Sequence, residues 1–194
     1  MGVEYERKFR AAPERLAQLK KVFFQAQTHF DMETTYYDTP NGDFSARHWT
    51  VRRRMENEKS VCTFKFPVDT VGRGEFEVEN DSIEAGVLEL CKLSGKEELA
   101  VLAKGGLVPV CGAKFHRTAV PVTWGNTLVE LALDEGVLLG GGKELPLTEV
   151  EAELKAGSRQ DVDLFATYLQ ATFSLQPETR SKFARAKMLA KGEL

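Results

Sequence analysis

The chain has 194 residues, long enough for one sizeable hydrophobic core, and its length alone does not demand a second domain. Hydrophobic residues make up 42% and charged residues 28%, ordinary for a soluble fold, and 26 basic against 29 acidic residues leave a net charge of −3. That balance lacks the basic excess of a nucleic-acid binder, so any electrostatic function has to come from local segregation of charge.

Cys62, Cys91 and Cys111 are widely spaced, no C-x-x-C occurs, and His29, His48 and His116 supply no zinc spacing. They read as free thiols in a reducing, cytoplasmic setting. Charge from Glu4 onward argues against a signal peptide. The longest uncharged run, Thr118 to Val129, is too short and too interrupted by Pro121 and Gly125 to span a bilayer.

A first strand is expected from about Gly2 to Arg10. In it Glu4, Glu6 and Lys8 share one face, while Val3, Tyr5 and Phe9 share the other with Arg7 between them. Ala12-Pro13 opens a helix whose apolar stripe is Leu16, Leu19, Phe23 and Ala26. A strand over Thr28–Thr39 ends at the turn Pro40-Asn41-Gly42. The strand His48–Met55 holds Arg52 and Arg54 on one face and Val51 on the other. A hairpin at Glu56–Lys59 leads to the strand Ser60–Pro67, with Thr63 and Lys65 opposite Phe64 and Phe66. Gly72-Arg73-Gly74 turns the chain into Glu75–Glu79, where acid and apolar residues alternate strictly.

Ser82 caps a helix, and a second helix over about Lys96–Lys104 stops at Gly105-Gly106. Strands resume over Ala113–Trp124, carrying Arg117, and Thr127–Leu138, where Glu130 and Asp134 share a face. Gly140-Gly141-Gly142 is a turn and not a phosphate loop, since no Lys-Ser/Thr follows. Leu147–Lys155 places Glu149, Glu151 and Glu153 on one face. Ser158 caps a helix over about Arg159–Phe173, and Pro177 precedes a last helix carrying Ser181, Lys182 and Arg185. About eight strands linked mostly by hairpins, with helices inserted, give one α+β domain on an antiparallel sheet.

Sorted by sign, the alternating charges fall into acid ladders and base positions. If the opposite, apolar faces pack under helices, the sheet closes into a barrel with a polar lumen. Carboxylates crowded there repel unless cations offset them. Hard divalent ions such as Mg²⁺ or Mn²⁺ suit their oxygens, and Lys and Arg suit a multiply charged anion such as a polyphosphate. Together these are the parts for metal-assisted phosphoryl transfer.

The opening Glu4-x-Glu6-x-Lys8 resembles the signature of the CYTH superfamily, the triphosphate tunnel metalloenzymes. The similarity spans nearly the whole chain, in family order. It runs through Tyr36-Tyr37-Asp38-Thr39, Arg52-x-Arg54, Thr63-Phe64-Lys65, the Glu75–Glu79 ladder, Arg117, Leu133-Asp134-x-Gly136, Glu149-x-Glu151-x-Glu153 and Ser181-Lys182. The resemblance implies an eight-stranded antiparallel β-barrel, or tunnel, with its helices packed outside and a single domain over residues 1–194. It implies that Lys8, Arg52, Arg54, Lys65, Arg117, Lys182 and Arg185 grip a small-molecule triphosphate. Glu4, Glu6, Glu75, Glu77, Asp134, Glu151 and Glu153 would hold Mg²⁺ or Mn²⁺, and Lys8, Glu6 and Arg54 would act in catalysis.

Among family members the Arg52-x-Arg54, Leu133-Asp134-x-Gly136 and Ser181–Arg185 segments look most like bacterial inorganic triphosphatases, which split tripolyphosphate into orthophosphate and pyrophosphate. Class IV adenylyl cyclases, thiamine or nucleoside triphosphatases, and a non-catalytic polyphosphate-binding module are the alternatives. Animal thiamine triphosphatases place a tryptophan two residues before the first arginine of the pair. Here Trp49 lies three before Arg52 and is expected to face outward. No nucleic-acid or membrane partner is expected.

Overall fold

The structure is a computed structural model that describes residues 2–68 and 72–194; the side chain of Val3, expected beside Tyr5 and Phe9, lies outside the described residues. The N-terminal strand runs as β1 (Gly2–Glu4) and β2 (Glu6–Arg10), broken at Tyr5. β1 pairs with β6 (Arg73–Glu79), whereas β2 pairs with β9 (Lys143–Ala156) on one side and with the short β10 (Gln176–Pro177) on the other. With β3 (Thr28–Asp38), β4 (Thr50–Glu56), β5 (Lys59–Pro67), β7 (Val108–Trp124) and β8 (Thr127–Gly140) they form one ten-stranded antiparallel sheet.

The antiparallel α+β architecture agrees with expectation; the closed eight-stranded barrel agrees in part. Among the described residues no ladder joins β6 to β9, and the strand order is β1-β6-β5-β4-β3-β7-β8-β9-β2-β10. Its two ends meet because β1 and β2 are one stretch of chain with only Tyr5 between them. The break at Tyr5 divides the expected first strand, and β10 adds the tenth.

The outer side of the sheet carries two apolar layers. Helices α1 (Pro13–Val22) and α5 (Arg159–Phe173) cover Tyr5, Phe9, Leu131, Leu133 and Val150, with Leu16, Leu19, Phe165 and Leu169 buried against them. Each such buried Leu or Phe stabilises the fold by about 1.5–3 kcal/mol relative to exposure. α1 stops one residue before Phe23, and Ala26, expected on its stripe, sits at φ 53° in the turn that follows. Helices α3 (Ile83–Ser94) and α4 (Glu97–Ala103) cover Val51, Cys62 and Phe64. Trp49 packs edge-on against Phe64 at 5.1 Å in this outer layer. A short α2 (Asp43–Ala46) was not legible in sequence; the Asp38 carboxylate accepts the N–H of Phe44 at 2.9 Å and holds it to the end of β3.

The last helix departs from the expectation that helices pack outside. α6 (Lys182–Lys191) lies on the inner, charged side, where Ala186 packs with Met32, Ala113, Phe115, Leu138 and Leu147. Glycine at the β8–β9 turn admits it. A Cβ on Gly140 would stand 2.4 Å from the Ala186 carbonyl oxygen, and one on Gly141 2.9 Å from that of Ala190.

The inner side is also less uniformly charged than expected. On β3 and β7 the inward residues include Phe30, Met32, Phe115 and Ala119, while His29, Asp31 and Glu33 are exposed outside. No helix covers that outer stretch among the described residues, so its polarity is the reverse of the other strands. No helix of the described residues is long and apolar enough to cross a membrane.

Candidate functional site

Alternation along the strands puts one residue in two on the inner face, and the inner faces enclose a cavity of about 1070 Å³. Register then decides the neighbours. Glu6 stands opposite Glu153 and Lys8 opposite Glu151, and Glu153 stands opposite Glu130 on its other side. Across the cavity Arg52 is opposite Thr63, Thr63 opposite Glu77, and Lys65 opposite Glu75.

These charges pair into two groups. In the first, Lys65 Nζ donates to both Glu4 carboxylate oxygens at 2.7 and 2.8 Å and lies 3.1 Å from Glu75. Lys8 Nζ donates to Glu6 at 2.8 Å. Arg52 stands 3.7 Å from both Glu75 and Glu77, and Arg54 pairs with Glu56 and lies 3.6 Å from Glu77. Lys155 lies 2.9 Å from Glu153 and 3.4 Å from Glu130.

The second group is where α6 meets the sheet. Arg117 donates in fork fashion to Asp134 through Nε and NH2, both at 2.7 Å, and again from NH2 to Glu151 at 2.6 Å. Lys182 Nζ reaches Asp134 and Glu151, each at 2.8 Å, and also Glu149. Arg185 pairs with Glu149. Phe115 lies under both cations, 5.2 Å from Lys182 Nζ and 5.7 Å from the Arg117 guanidinium carbon. The side chains of Asp134 and Glu149 are 0% exposed, so this acid cluster is sealed by three cations.

Proton affinities follow the geometry. Burial pushes the Glu6 carboxyl up, and its neighbours Glu151 and Glu4 push the same way against Lys8. Burial likewise raises Glu153, outweighing Lys155. Burial opposes the Lys8 ammonium, yet Glu6 and Glu151 prevail and hold it above the ordinary lysine value. Burial raises Glu149 to about 7, against Lys182 and Arg185 and with the help of Glu151. Glu151, which burial alone would raise, is held well below the usual range by Lys182 and Arg117.

Of the expected substrate cations, Lys8, Arg52, Arg54, Lys65, Arg117 and Lys182 line the cavity, while Arg185 is buried against Glu149 behind it. Of the expected acids, Glu4, Glu6, Glu75, Glu77, Glu151 and Glu153 line the cavity; Asp134 lies beneath Arg117 and Lys182. Sequence reasoning passed over Arg73, read only as part of a turn, together with Glu56 and Lys155. All three line the cavity. The signal was available: each sits two residues from a charge already assigned to the inner face, at the strand period.

Arg73 NH2 is anchored to the backbone oxygens of His48 at 3.0 Å and Lys65 at 3.4 Å. Buried Nε groups of Arg52, Arg54 and Arg73 have no hydrogen-bond partner among the described residues. Buried donors of this kind are normally satisfied, and an anion with several oxygens would satisfy them.

The residues also fit a hard divalent cation. Asp134, Glu149 and Glu151 bring carboxylate oxygens within 4.8 Å of one another, but Arg117, Lys182 and Arg185 already neutralise them. Glu6 and Glu153 stand opposite each other with Glu130 beside Glu153, and burial raises the carboxyls of both Glu6 and Glu153. Carboxylate oxygens of this kind are hard donors of the type that divalent cations take.

The same fold occurs in solved structures. A Hippeastrum protein, proposed as an adenylyl cyclase and described as having a dominant triphosphatase activity, superposes with a TM-score of 0.67 at 18% identity, covering 100% of this chain and 97% of its own. A Pyrococcus horikoshii protein superposes at TM-score 0.63 and 23% identity, covering 97% of this chain and 99% of that one. In sequence, an inorganic triphosphatase of Haemophilus influenzae is 28% identical over 159 residues, 80% of this chain. The match covers 45% of that relative, so the chain spans less than half of its length. The profile of the CYTH domain matches residues 2–186, and the chain belongs to the CYTH family.

Proposed function

We propose that the protein is a metal-dependent hydrolase that cleaves inorganic tripolyphosphate to orthophosphate and pyrophosphate inside the charged cavity, which works as a tunnel. The observation that carries this reading is that the buried Nε–H groups of Arg52, Arg54 and Arg73, which line the cavity, have no hydrogen-bond partner among the described residues. The likeness to a bacterial inorganic triphosphatase supports it.

Arg52, Arg54, Lys65, Arg73, Arg117 and Lys182 bind the phosphate oxygens and fix the chain in register for in-line attack. Lys8, oriented by Glu6, and Arg54 offset the charge that grows on the reacting phosphoryl group. Asp134 and Arg185 act from behind: Asp134 fixes the Arg117 fork, and Arg185 offsets the Glu149 charge. Glu4, Glu6, Glu75, Glu77, Glu151 and Glu153 would hold Mg²⁺ or Mn²⁺, which when bound would offset phosphate charge and lower the pKa of a water molecule.

Phosphate release measured with tripolyphosphate, ATP, thiamine triphosphate and pyrophosphate, each with Mg²⁺ and with Mn²⁺, tests the reading. Strong preference for tripolyphosphate is expected. No release from it by folded protein sinks the proposal. A second reading, hydrolysis or cyclisation of an organic triphosphate, is favoured by one feature only. The cavity wall formed by Phe30, Met32, Phe115 and Ala119 is apolar and could receive an organic group. Preference for ATP, or formation of cyclic AMP, would select that reading.

A further inference from the structure

The connection between α5 and α6 carries an acid that the proposed chemistry does not use. Glu178 follows β10 directly and is 5% exposed. Its main-chain N–H donates to the Lys8 carbonyl oxygen at 2.9 Å. Its Oε1 accepts both the main-chain N–H and the Nε–H of Arg180 at 3.0 Å, and its Oε2 accepts from Arg180 NH2 at 3.0 Å. Arg10 Nε lies 3.6 Å from the same Oε2. The side chains of Arg180 and Arg10 are 40% and 58% exposed, so the carboxylate is the buried member of the group.

An exposed ion pair would count for little. A fork-on-fork contact closed by a main-chain bond is rigid, because the planar guanidinium leaves few alternative geometries. What it holds is specific. On one side is the backbone of Lys8, whose ammonium lines the cavity. On the other, Ser181 caps α6 by accepting the Ala184 N–H at 3.1 Å, and Lys182 is the first residue of that helix. β2 is held in the sheet by its ladders to β9 and β10, and the clasp adds a side-chain tie from the α5–α6 connection to that same strand.

We propose that Glu178 is a positioning residue: with Arg180 and Arg10 it clamps the start of α6 to β2, so that Lys8 and Lys182 meet the substrate phosphates together. The proposal rests on the triphosphate reading of the cavity. A purely structural clasp would lower the melting temperature and leave substrate affinity alone.

The test compares wild type, Glu178→Gln, Arg180→Ala and the double variant by steady-state kinetics with tripolyphosphate and Mg²⁺. Amide hydrogen exchange over residues 182–186 is measured without substrate. Glu178→Gln keeps the shape and removes the charge. It is expected to raise KM about tenfold while kcat changes less than about threefold. Exchange at the start of α6 is expected to quicken about tenfold. The double variant should be no worse than the more affected single one, since the two residues act as a unit. Unchanged KM overturns the proposal, whatever happens to melting temperature or exchange. If Glu178→Gln does not fold, Arg180→Ala, which retains the carboxylate and the bond to Lys8, decides by the same KM criterion. A wild type that neither binds nor cleaves tripolyphosphate sinks the triphosphate reading itself; a wild type that cleaves it beside equally efficient variants sinks only the clasp.

Discussion

Lys8 and Lys182 both line the cavity, yet they differ in what surrounds them. Among the described residues Lys8 is ion-paired with Glu6, with Glu151 acting from farther off, whereas Lys182 is shared by Asp134, Glu149 and Glu151. Lys8→Ala is therefore expected to lower tripolyphosphate turnover at least about tenfold with little change in stability, as for loss of a group acting at the reacting centre. Turnover and a thermal melt on the same sample check this, and a fully active variant removes Lys8 from the site. Lys182→Ala leaves buried carboxylates with too little positive charge and is expected to cost about 3–5 kcal/mol of folding stability. Denaturant unfolding measures it. Glu178 offers a separate handle through pH. Its hydrogen bonds from Arg180 hold its folded pKa at about 2, below the ordinary 4.5. A depressed pKa contributes stability above the unfolded value that is lost as pH falls through the folded one. The stability gap between wild type and Glu178→Gln should thus be full above about pH 4.5 and close toward pH 2. Melting curves of both proteins across that window show whether it does.

Among the elements, α6 has the most influence on the site, and glycine decides where it can sit. Gly140→Ala places a methyl group 2.4 Å from the Ala186 carbonyl oxygen, so either the helix or the β8–β9 turn has to move. Overpacking of this kind costs about 1–3 kcal/mol. The helix carries Lys182, so the variant is expected to lose both stability and affinity for tripolyphosphate. Gly142→Ala, in the same turn, meets nothing within 4 Å and is the comparison without a clash against α6; its own φ of 74° adds a backbone strain that Gly140 does not have. Equal affinity in the two variants would show that the position of α6 does not matter to binding. The sequence placed a helix after Pro177 correctly but assigned it, with the others, to the outside. Its charged and apolar residues alone could not tell an inward face from an outward one, because Lys182 and Arg185 look like solvent-exposed residues until Glu149 and Asp134 are seen against them.

For the whole molecule, the cavity is a store of mutually repelling charge that ligands should relieve. Tripolyphosphate with Mg²⁺ is expected to raise the melting temperature, because a ligand that binds only the folded state stabilises it by mass action. Tripolyphosphate with excess chelator should give a smaller shift and no phosphate release. Full turnover after chelation and desalting would contradict the metal requirement. A stabilisation that survives 1 M salt undiminished would contradict an electrostatic origin, since at that ionic strength screening acts over about 3 Å.

Much of this was legible one strand at a time. Alternation is a local property, so Glu4, Glu6 and Lys8, or Arg52 and Arg54, can be assigned to one face from their spacing alone. Helix starts at Ser82 and Ser158 were equally local, because a cap needs only its own next few residues. The same rule would have found Arg73 and Glu56 had it been carried past the turns. What the sequence could not determine was register, closure and depth. Register sets Glu6 against Glu153; the break at Tyr5 sends β1 to one end of the sheet and β2 to the other; and the inward seat of α6 buries Asp134 beneath Arg117 and Lys182. These are contacts between residues far apart in the chain, and only folding, by trading their solvation for one another, chooses which charge meets which.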